Sequence, residues 1–466
     1  MLDALEVIQT RNTALEARFA DKLKVKSQLS RQLVSFQANK NKPISRWFKY
    51  KEGFSETLIQ HLLDHLGIEQ GKILDPFAGT GTTLFAAAGH GLDSVGIELL
   101  PVGCEIMEVR RYTQGREIEL QAVIRRWRQE KSWINQETDC FFPHLRITDG
   151  AFPEATQQSL ERYLAALSAE QPASARLLRF AVMCVLEEIS YTRKDGQYLR
   201  WDYRSNRRQG NKPFNKGRIL SFDEAILMKL DEIYDDLQPN QGMLNLFAPI
   251  EKRGAVQVIQ GSCLNVLPTL ETASFDGLIT SPPYANRYDY TRTYALELAM
   301  LGVGEDELRQ LRQTMVSCTV ENRDKEGLRE LFLPDRYDRA IAAFEGQREL
   351  QGILAYLEWQ KSTKALNNPG IPRMVKNYFF ELSLVIFECA RLLKSGAPFV
   401  MVNDNVRYGG ATIPVDLILS DFAEQAGFDV EAIWVLPTGK GNSSQQMGVH
   451  GREELRKCIY IWRRRG

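Results

Sequence analysis

The 466-residue sequence predicts an α/β protein. Its open parallel sheet ends in an antiparallel hairpin and is interrupted by a large, mostly helical insertion. Three observations lead there. A short apolar strand at 72–75 runs through a glycine turn into a helix, and a second strand at 94–98 follows and ends in an acid. A further apolar run, 275–279, stops on the rigid quartet Ser281-Pro282-Pro283-Tyr284. Between these units, over about 104–250, the hydrophobic period lengthens from that of strands to that of helices. The combination is Rossmann-like, with ligands expected beyond the carboxyl ends of the strands.

Composition narrows the partners. Lysine plus arginine (59) balance aspartate plus glutamate (59), so any polyanion must be met by a local basic patch. The start, Met1-Leu2-Asp3-Ala4-Leu5-Glu6, places charges where a signal peptide needs an apolar core, and no apolar run reaches membrane-spanning length. The seven cysteines are scattered, with no C-x-x-C. Of the five histidines, only His61 and His65 stand one helical turn apart, and they lack the glutamate of H-E-x-x-H. The expectation is a cytoplasmic protein without membrane contact or structural metal.

The chain opens with a helical pattern from residue 3 to about 37, where Leu15, Phe19 and Leu23 recur at fourfold spacing. It reads either as an arm for a dimer or for DNA, or as a helix packed on the main domain; the second reading is favoured. A polar linker follows at 38–43. Aromatic and small polar residues, Arg46 through Phe54 and Ser55, then lead into a helix marked by Leu58, Ile59, Leu62 and Leu63.

In the strongest unit, strand 72–75 ends at Asp75, and Pro76-Phe77-Ala78-Gly79-Thr80-Gly81-Thr82 turns into the helix beginning at Thr83. The glycines let backbone approach a ligand, and the helix start offers unpaired amides. Glu98 closes the next strand about 20 positions after Gly79, where a carboxylate meets a ribose diol in βαβ nucleotide sites. Leu84 stands where a dinucleotide fingerprint needs its third glycine. A nucleoside-type cofactor without a pyrophosphate is therefore expected, which weighs against a nicotinamide oxidoreductase.

The helical middle contains a basic stretch at 191–218. Arg193, Arg200, Arg204, Arg207, Arg208 and Lys212 lie there among Tyr198, Trp201, Tyr203 and Phe214. Cations for phosphates and aromatic faces for bases favour a nucleic-acid contact over a merely solvated loop. Pro239-Asn240-Gln241-Gly242 reads as a boundary. Strand 256–259, the turn around Ser262 and a short helix then lead to the proline quartet, whose two prolines must end a strand. Helical sequence to about 370 forms a second insert. A helix at 379–393, a strand at 399–404, a helix at 415–426 and a closing hairpin (433–435 with 457–462) complete the chain, with a polar loop at 439–446 inside the hairpin. The expected organisation is an arm and linker (1–43), a first core part (44–108), a helical insertion (109–254) and a second core part (255–466) with an insert at about 300–375.

Asp75-Pro76-Phe77-Ala78-Gly79-Thr80-Gly81-Thr82, followed later by Thr280-Ser281-Pro282-Pro283-Tyr284, resembles the amino-methyltransferases of DNA, which methylate cytosine N4 or adenine N6. The resemblance covers roughly 44–104 and 255–300, and more loosely 376–466. It implies a class I methyltransferase sheet and S-adenosylmethionine as cofactor. Phe54 and Ser55, Asp75, Phe77 to Thr82, Glu98 and Ser262 fall on the cofactor motifs, and Ser281, Pro282, Pro283 and Tyr284 fall on the catalytic loop. Gly261-Ser262-Cys263 departs from the pattern by lacking the acid that meets the adenine amine; either Ser262 or an aspartate elsewhere takes its place. Serine at the first position of the catalytic loop looks more like the cytosine-N4 branch, with adenine N6 as runner-up.

The resemblance further implies double-stranded DNA as substrate, flipping of the target base onto Tyr284, and a companion restriction or defence nuclease, the enzyme acting as monomer or dimer. The loop holds no cysteine nucleophile, which argues against methylation at cytosine C5. A transfer-RNA guanine-N2 enzyme is disfavoured by the lack of a recognisable RNA-binding appendage, and a binding protein without catalysis by the intact loop.

Overall fold

The computed structural model describes residues 2–30, 33–50, 53–195, 199–208, 212–238, 253–437 and 454–466. The expected boundary at 239–242, the loop at 439–446 and Tyr198 lie outside them.

Among the described residues, eight strands form the central sheet: β1 (Leu23–Val25), β2 (Lys72–Asp75), β3 (Asp93–Glu98), β4 (Val256–Gln260), β5 (Gly277–Thr280), β6 (Pro398–Asp404), β7 (Phe428–Val435) and β8 (Lys457–Arg464). Their order across the sheet is β1-β7-β8-β6-β5-β2-β3-β4. The block β6-β5-β2-β3-β4 is parallel, with Leu74 opposite both Val95 and Leu278 and Ile279 opposite Val400. β8 runs antiparallel between β6 and β7. The central strands are buried along their length, because helices cover both faces and leave no face for polar residues. The chain winds from β2 through β3 to β4 on one side and returns to β5 and β6 on the other. The crevice between the carboxyl ends of β2 and β5 is therefore the topological switch point.

Helices Glu56–Leu66 and Thr82–Gly89 pack on one face of the sheet. Helices Ile371–Leu392 and Val415–Ala426 lie in the largest apolar cluster, on the other. The insertion has a core of its own, where Trp127, Trp133, Tyr163 and Phe222 meet. Helix Pro101–Thr113 crosses the expected boundary at 108 and ties the two bodies together. The second insert also divides. Tyr294 to Met315 and Cys318 pack into the core of the first insertion, whereas Val316 and Leu328 to Leu357 join the sheet's own core.

The N-terminal segment corrects the sequence reading. Its helix is Leu2–Arg18 and stops there. Leu23–Val25 instead adds a parallel edge strand to β7, where Ile433 N donates to Lys22 O (2.8 Å) and Lys26 N to Val435 O (3.0 Å). The open backbone edge of β7 outweighs a helical pattern that a local reading extends too far. The helix itself packs on the main body, with Leu15 and, just beyond its end, Phe19 buried and with Arg18 paired to Asp421 and Glu424. No described helix is long and apolar enough to cross a membrane.

Candidate active site

A cavity of about 710 Å³ opens at the switch point. It is large enough for a nucleoside-sized ligand together with part of a second one. One wall is built from backbone. Ala78 N donates to Ile97 O (2.9 Å), which folds the glycine turn onto the end of β3. Gly79 and Gly81 hold φ of 55° and 77°, a region that L side chains rarely adopt. A Cβ on Gly103 would lie 2.4 Å from Gly79 O and 2.8 Å from Glu98 Cγ, so helix Pro101–Thr113 can approach only as glycine.

Glu98 is 8 % exposed and accepts from Gly79 N and Leu100 N, both at 2.7 Å, one on each oxygen. A carboxylate oxygen accepts more than one hydrogen bond, so this carboxylate, held by two amides in the cavity wall, can also receive a diol. Burial pushes its pKa up to about 7, against the pull of the amides. Asp75, 1 % exposed, accepts from Thr280 Oγ1 (2.6 Å) and Phe77 N (3.1 Å). It thereby pins the glycine turn to the strand that carries Ser-Pro-Pro-Tyr, and burial lifts its pKa to about 6.

The sequence-selected residues divide on this geometry. Phe54, Asp75, Phe77, Ala78, Gly79, Thr80, Thr82, Glu98 and Ser262 line the cavity, as do Ser281, Pro282, Pro283 and Tyr284. Ser55 and Gly81 do not. The Ser55 hydroxyl caps helix Glu56–Leu66 by accepting from Leu58 N (3.1 Å) and donates to Leu33 O (2.7 Å), so its role is to fix the approach of Phe54. Gly81 works from behind, where a Cβ would strike Met107 at 2.8 Å. Ser262 donates to Thr314 O (3.0 Å) and caps the next short helix, which commits its hydroxyl proton.

On the opposite wall, Ser281 Oγ lies 3.1 Å from both Val402 O and the Tyr284 hydroxyl. Tyr408 donates to Ala285 O (2.6 Å) and clamps the loop from behind, and Arg287 just beyond it has φ of 66°. Sequence reasoning singled out neither Tyr50, Lys194 nor Lys457, and all three line the cavity. Tyr50 stacks on Tyr294 with centroids 5.0 Å apart. Lys194 forms a buried ion pair with Glu297 (2.5 Å) between the rings of Phe48 and Tyr294. The aromatic run before Phe54 was the available signal for Tyr50. The basic stretch was the available signal for Lys194, read there as a nucleic-acid contact, and Lys457 had none.

The basic stretch forms a hairpin, Thr192–Lys194 with Leu199–Trp201, and a loop behind it. Arg204 is bound to the fully buried Asp202 (2.7 Å) and to Gly217 O (2.6 Å). Arg207 stacks on Trp201 at 3.8 Å and donates to Arg146 O and Asp149 O. Both arginines build the loop. Arg193, Arg200, Arg208 and Lys212 are exposed, with Arg200 over the Phe214 ring at 4.2 Å.

Comparison with known proteins agrees with this architecture. The DNA methylase family profile matches residues 13–109. The chain is similar to the Type II methyltransferase M.AvaI of Nostoc sp. and of Anabaena variabilis, 52% identical over 97% of this chain and 93% of each relative. It is 40% identical to the Type II methyltransferase M.BsoBI of Geobacillus stearothermophilus, over 97% of this chain and 92% of that one. With these identities over nearly the whole length of both chains, the chain belongs to the S-adenosylmethionine-dependent Type II amino-methyltransferases of DNA.

Proposed function

We propose that the enzyme methylates the exocyclic N4 amine of cytosine, in a base flipped from double-stranded DNA onto Tyr284. Serine at the first loop position favours cytosine, and amine methylation itself is carried by the setting of Ser281. Its one hydroxyl proton has a carbonyl, Val402 O, at 3.1 Å, and a carbonyl can only accept. With the proton turned there, the Ser281 lone pairs are left to accept from an amine, beside the Pro282 carbonyl on the same loop.

Bound at the glycine wall, S-adenosylmethionine supplies a methyl group on a positively charged sulfur. The rest falls to the chain. Ser281 Oγ and the Pro282 carbonyl hold the two amine hydrogens and draw the nitrogen lone pair out of conjugation with the ring. They also stabilise the positive charge that grows on nitrogen as the carbon–nitrogen bond forms and the carbon–sulfur pair returns to sulfur. The methylated, positively charged nitrogen then releases one proton to solvent. The Tyr284 face holds the base against the methyl, and in-line positioning supplies much of the rate. Phe54, Gly79, Thr80, Thr82 and Glu98 hold the cofactor, with Asp75 bracing the two walls. Arg193, Arg200, Arg208 and Lys212 contact phosphates from the insertion. The Type II designation of the relatives supports a companion nuclease acting on the same site.

Adenine N6 is the second reading, because the same acceptors fit either amine. The test is methyl transfer from labelled S-adenosylmethionine to unmethylated genomic DNA, with nucleoside mass analysis of the digest. N4-methylcytosine is expected, and N6-methyladenine overturns the choice of base.

A further inference from the structure

The tip of the Tyr284 phenol is the meeting point of a charged cluster that the reaction as described does not use. Lys457 opens β8 and lies in register opposite Asp404, the last residue of β6. Their side chains pair at 3.4 Å, 23% and 37% exposed, and both line the cavity on the side of the catalytic loop. Lys457 Nζ stands 5.6 Å from the centroid of the Tyr284 ring. The ammonium also hydrogen-bonds the Tyr284 side chain, so it sits at the hydroxyl end of the ring and borders the stacking face. Its charge acts on the Tyr284 phenol and opposes the upward pull of burial. Ser281 Oγ meets the same hydroxyl at 3.1 Å. The amine acceptor and the lysine therefore converge on one end of one ring.

We infer that Lys457, oriented by Asp404, reads the ring edge of the flipped base by donating to O2 of cytosine. This rests on the cytosine reading above. A cytosine whose N4 amine sits at Ser281 presents N3 and then O2 along the same edge. Adenine in that pose presents N1 and then a C2–H, which accepts nothing. The donor at the far end of the edge thus distinguishes two bases that the amine acceptors cannot. A lysine donates in three directions and can hold Asp404 and a ring oxygen together. Asp404 limits where the ammonium points, which makes a flexible four-carbon stem specific.

The test uses the full-length enzyme, first on unmethylated genomic DNA. A duplex from a methylated locus is then made with cytosine, or with 2-thiocytosine, at the target; the thione is a weak acceptor in place of O2. Wild type is expected to lose on the order of tenfold in kcat/KM on 2-thiocytosine, mainly through KM. Lys457→Met is expected to lose a similar factor on cytosine and to be nearly indifferent to the thione, since the two changes remove one interaction. Its cofactor affinity stays unchanged, and Lys457→Arg keeps part of the preference. Equal thione penalties in wild type and Lys457→Met overturn the assignment, as does full activity of Lys457→Met on cytosine. If Lys457→Met fails to fold, the absence of a thione penalty in wild type overturns it without any variant. N6-methyladenine as the wild-type product removes the cytosine reading itself, whereas N4-methylcytosine with a lysine indifferent to the thione removes only the role of Lys457.

Discussion

The cofactor wall and the basic hairpin were both selected by residue type, and the fold treats them differently. In the wall, function runs through backbone. Gly79, Gly81 and Gly103 are required by conformation or close approach, and Glu98 is held by the backbone amides of Gly79 and Leu100. In the hairpin, the candidate groups are long cationic side chains, and neighbours decide what each does. Arg204 and Arg207 are spent on Asp202, Gly217, Trp201 and the 146–149 turn, while Arg193, Arg200, Arg208 and Lys212 face out. A motif that acts through backbone specifies its own geometry. A cation stretch specifies only a charge, and its partners come from elsewhere in the chain.

Substitutions can break this contrast, and the largest effect is expected where the hairpin reaches the cavity. Lys194 of the hairpin and Glu297 are 4% and 1% exposed, so Lys194→Met leaves an uncompensated buried carboxylate. A loss of about 3–5 kcal/mol is expected in denaturant unfolding. A change under about 1 kcal/mol would show that the pair is not what joins the hairpin to the cavity. Glu98→Ala is expected to weaken cofactor binding by roughly 10–100-fold in calorimetric titration, because hydrogen bonds to a charged group are lost. Unchanged affinity would remove Glu98 from the ligand.

The pH dependence of the same titration sharpens the point. A diol donates to the ionised carboxylate, so cofactor affinity should fall as pH drops through about 7, and Glu98→Gln should flatten that fall. For the ligand-free fold the sign is opposite. The folded pKa lies above the unfolded one, so the stability it contributes is complete below the ordinary glutamate range and is lost as pH rises through about 7. A cofactor affinity that is flat between pH 6 and 8 would contradict this.

The smallest effects belong to the outward cations. Neutralising Arg200, Arg208 or Lys212 should lower the slope of log affinity against log salt by about one per phosphate contact, without changing thermal stability. Arg204→Ala should do the reverse, lowering stability by leaving Asp202 buried without its guanidinium. An unchanged slope in all three outward variants would move the DNA contact elsewhere.

Much of the sheet was legible because its strands are buried on both faces and bounded by Gly, Pro and acids. β2, β3, β5, β6 and the closing pair stand within a few residues of their expected places. What was not legible depended on distant sequence. Leu23–Val25 becomes a strand only because β7 offers it an edge. Ser55 has the residue type of a ligand contact, yet its hydroxyl is consumed by a helix start and by Leu33 O. The second insert splits between two apolar cores, and no local periodicity reveals which core a helix will join. Tyr50, Lys194 and Lys457 reach the cavity from three separate segments that only the fold brings together.

The division of the cavity into a cofactor wall and a base-holding loop is tested most directly by Tyr284→Ala, with cofactor affinity and methyl transfer measured on one preparation. Affinity within about threefold of wild type, with transfer reduced at least ~100-fold, is the expected result. A loss of cofactor binding as large as the loss of transfer would contradict it and place Tyr284 on the cofactor side.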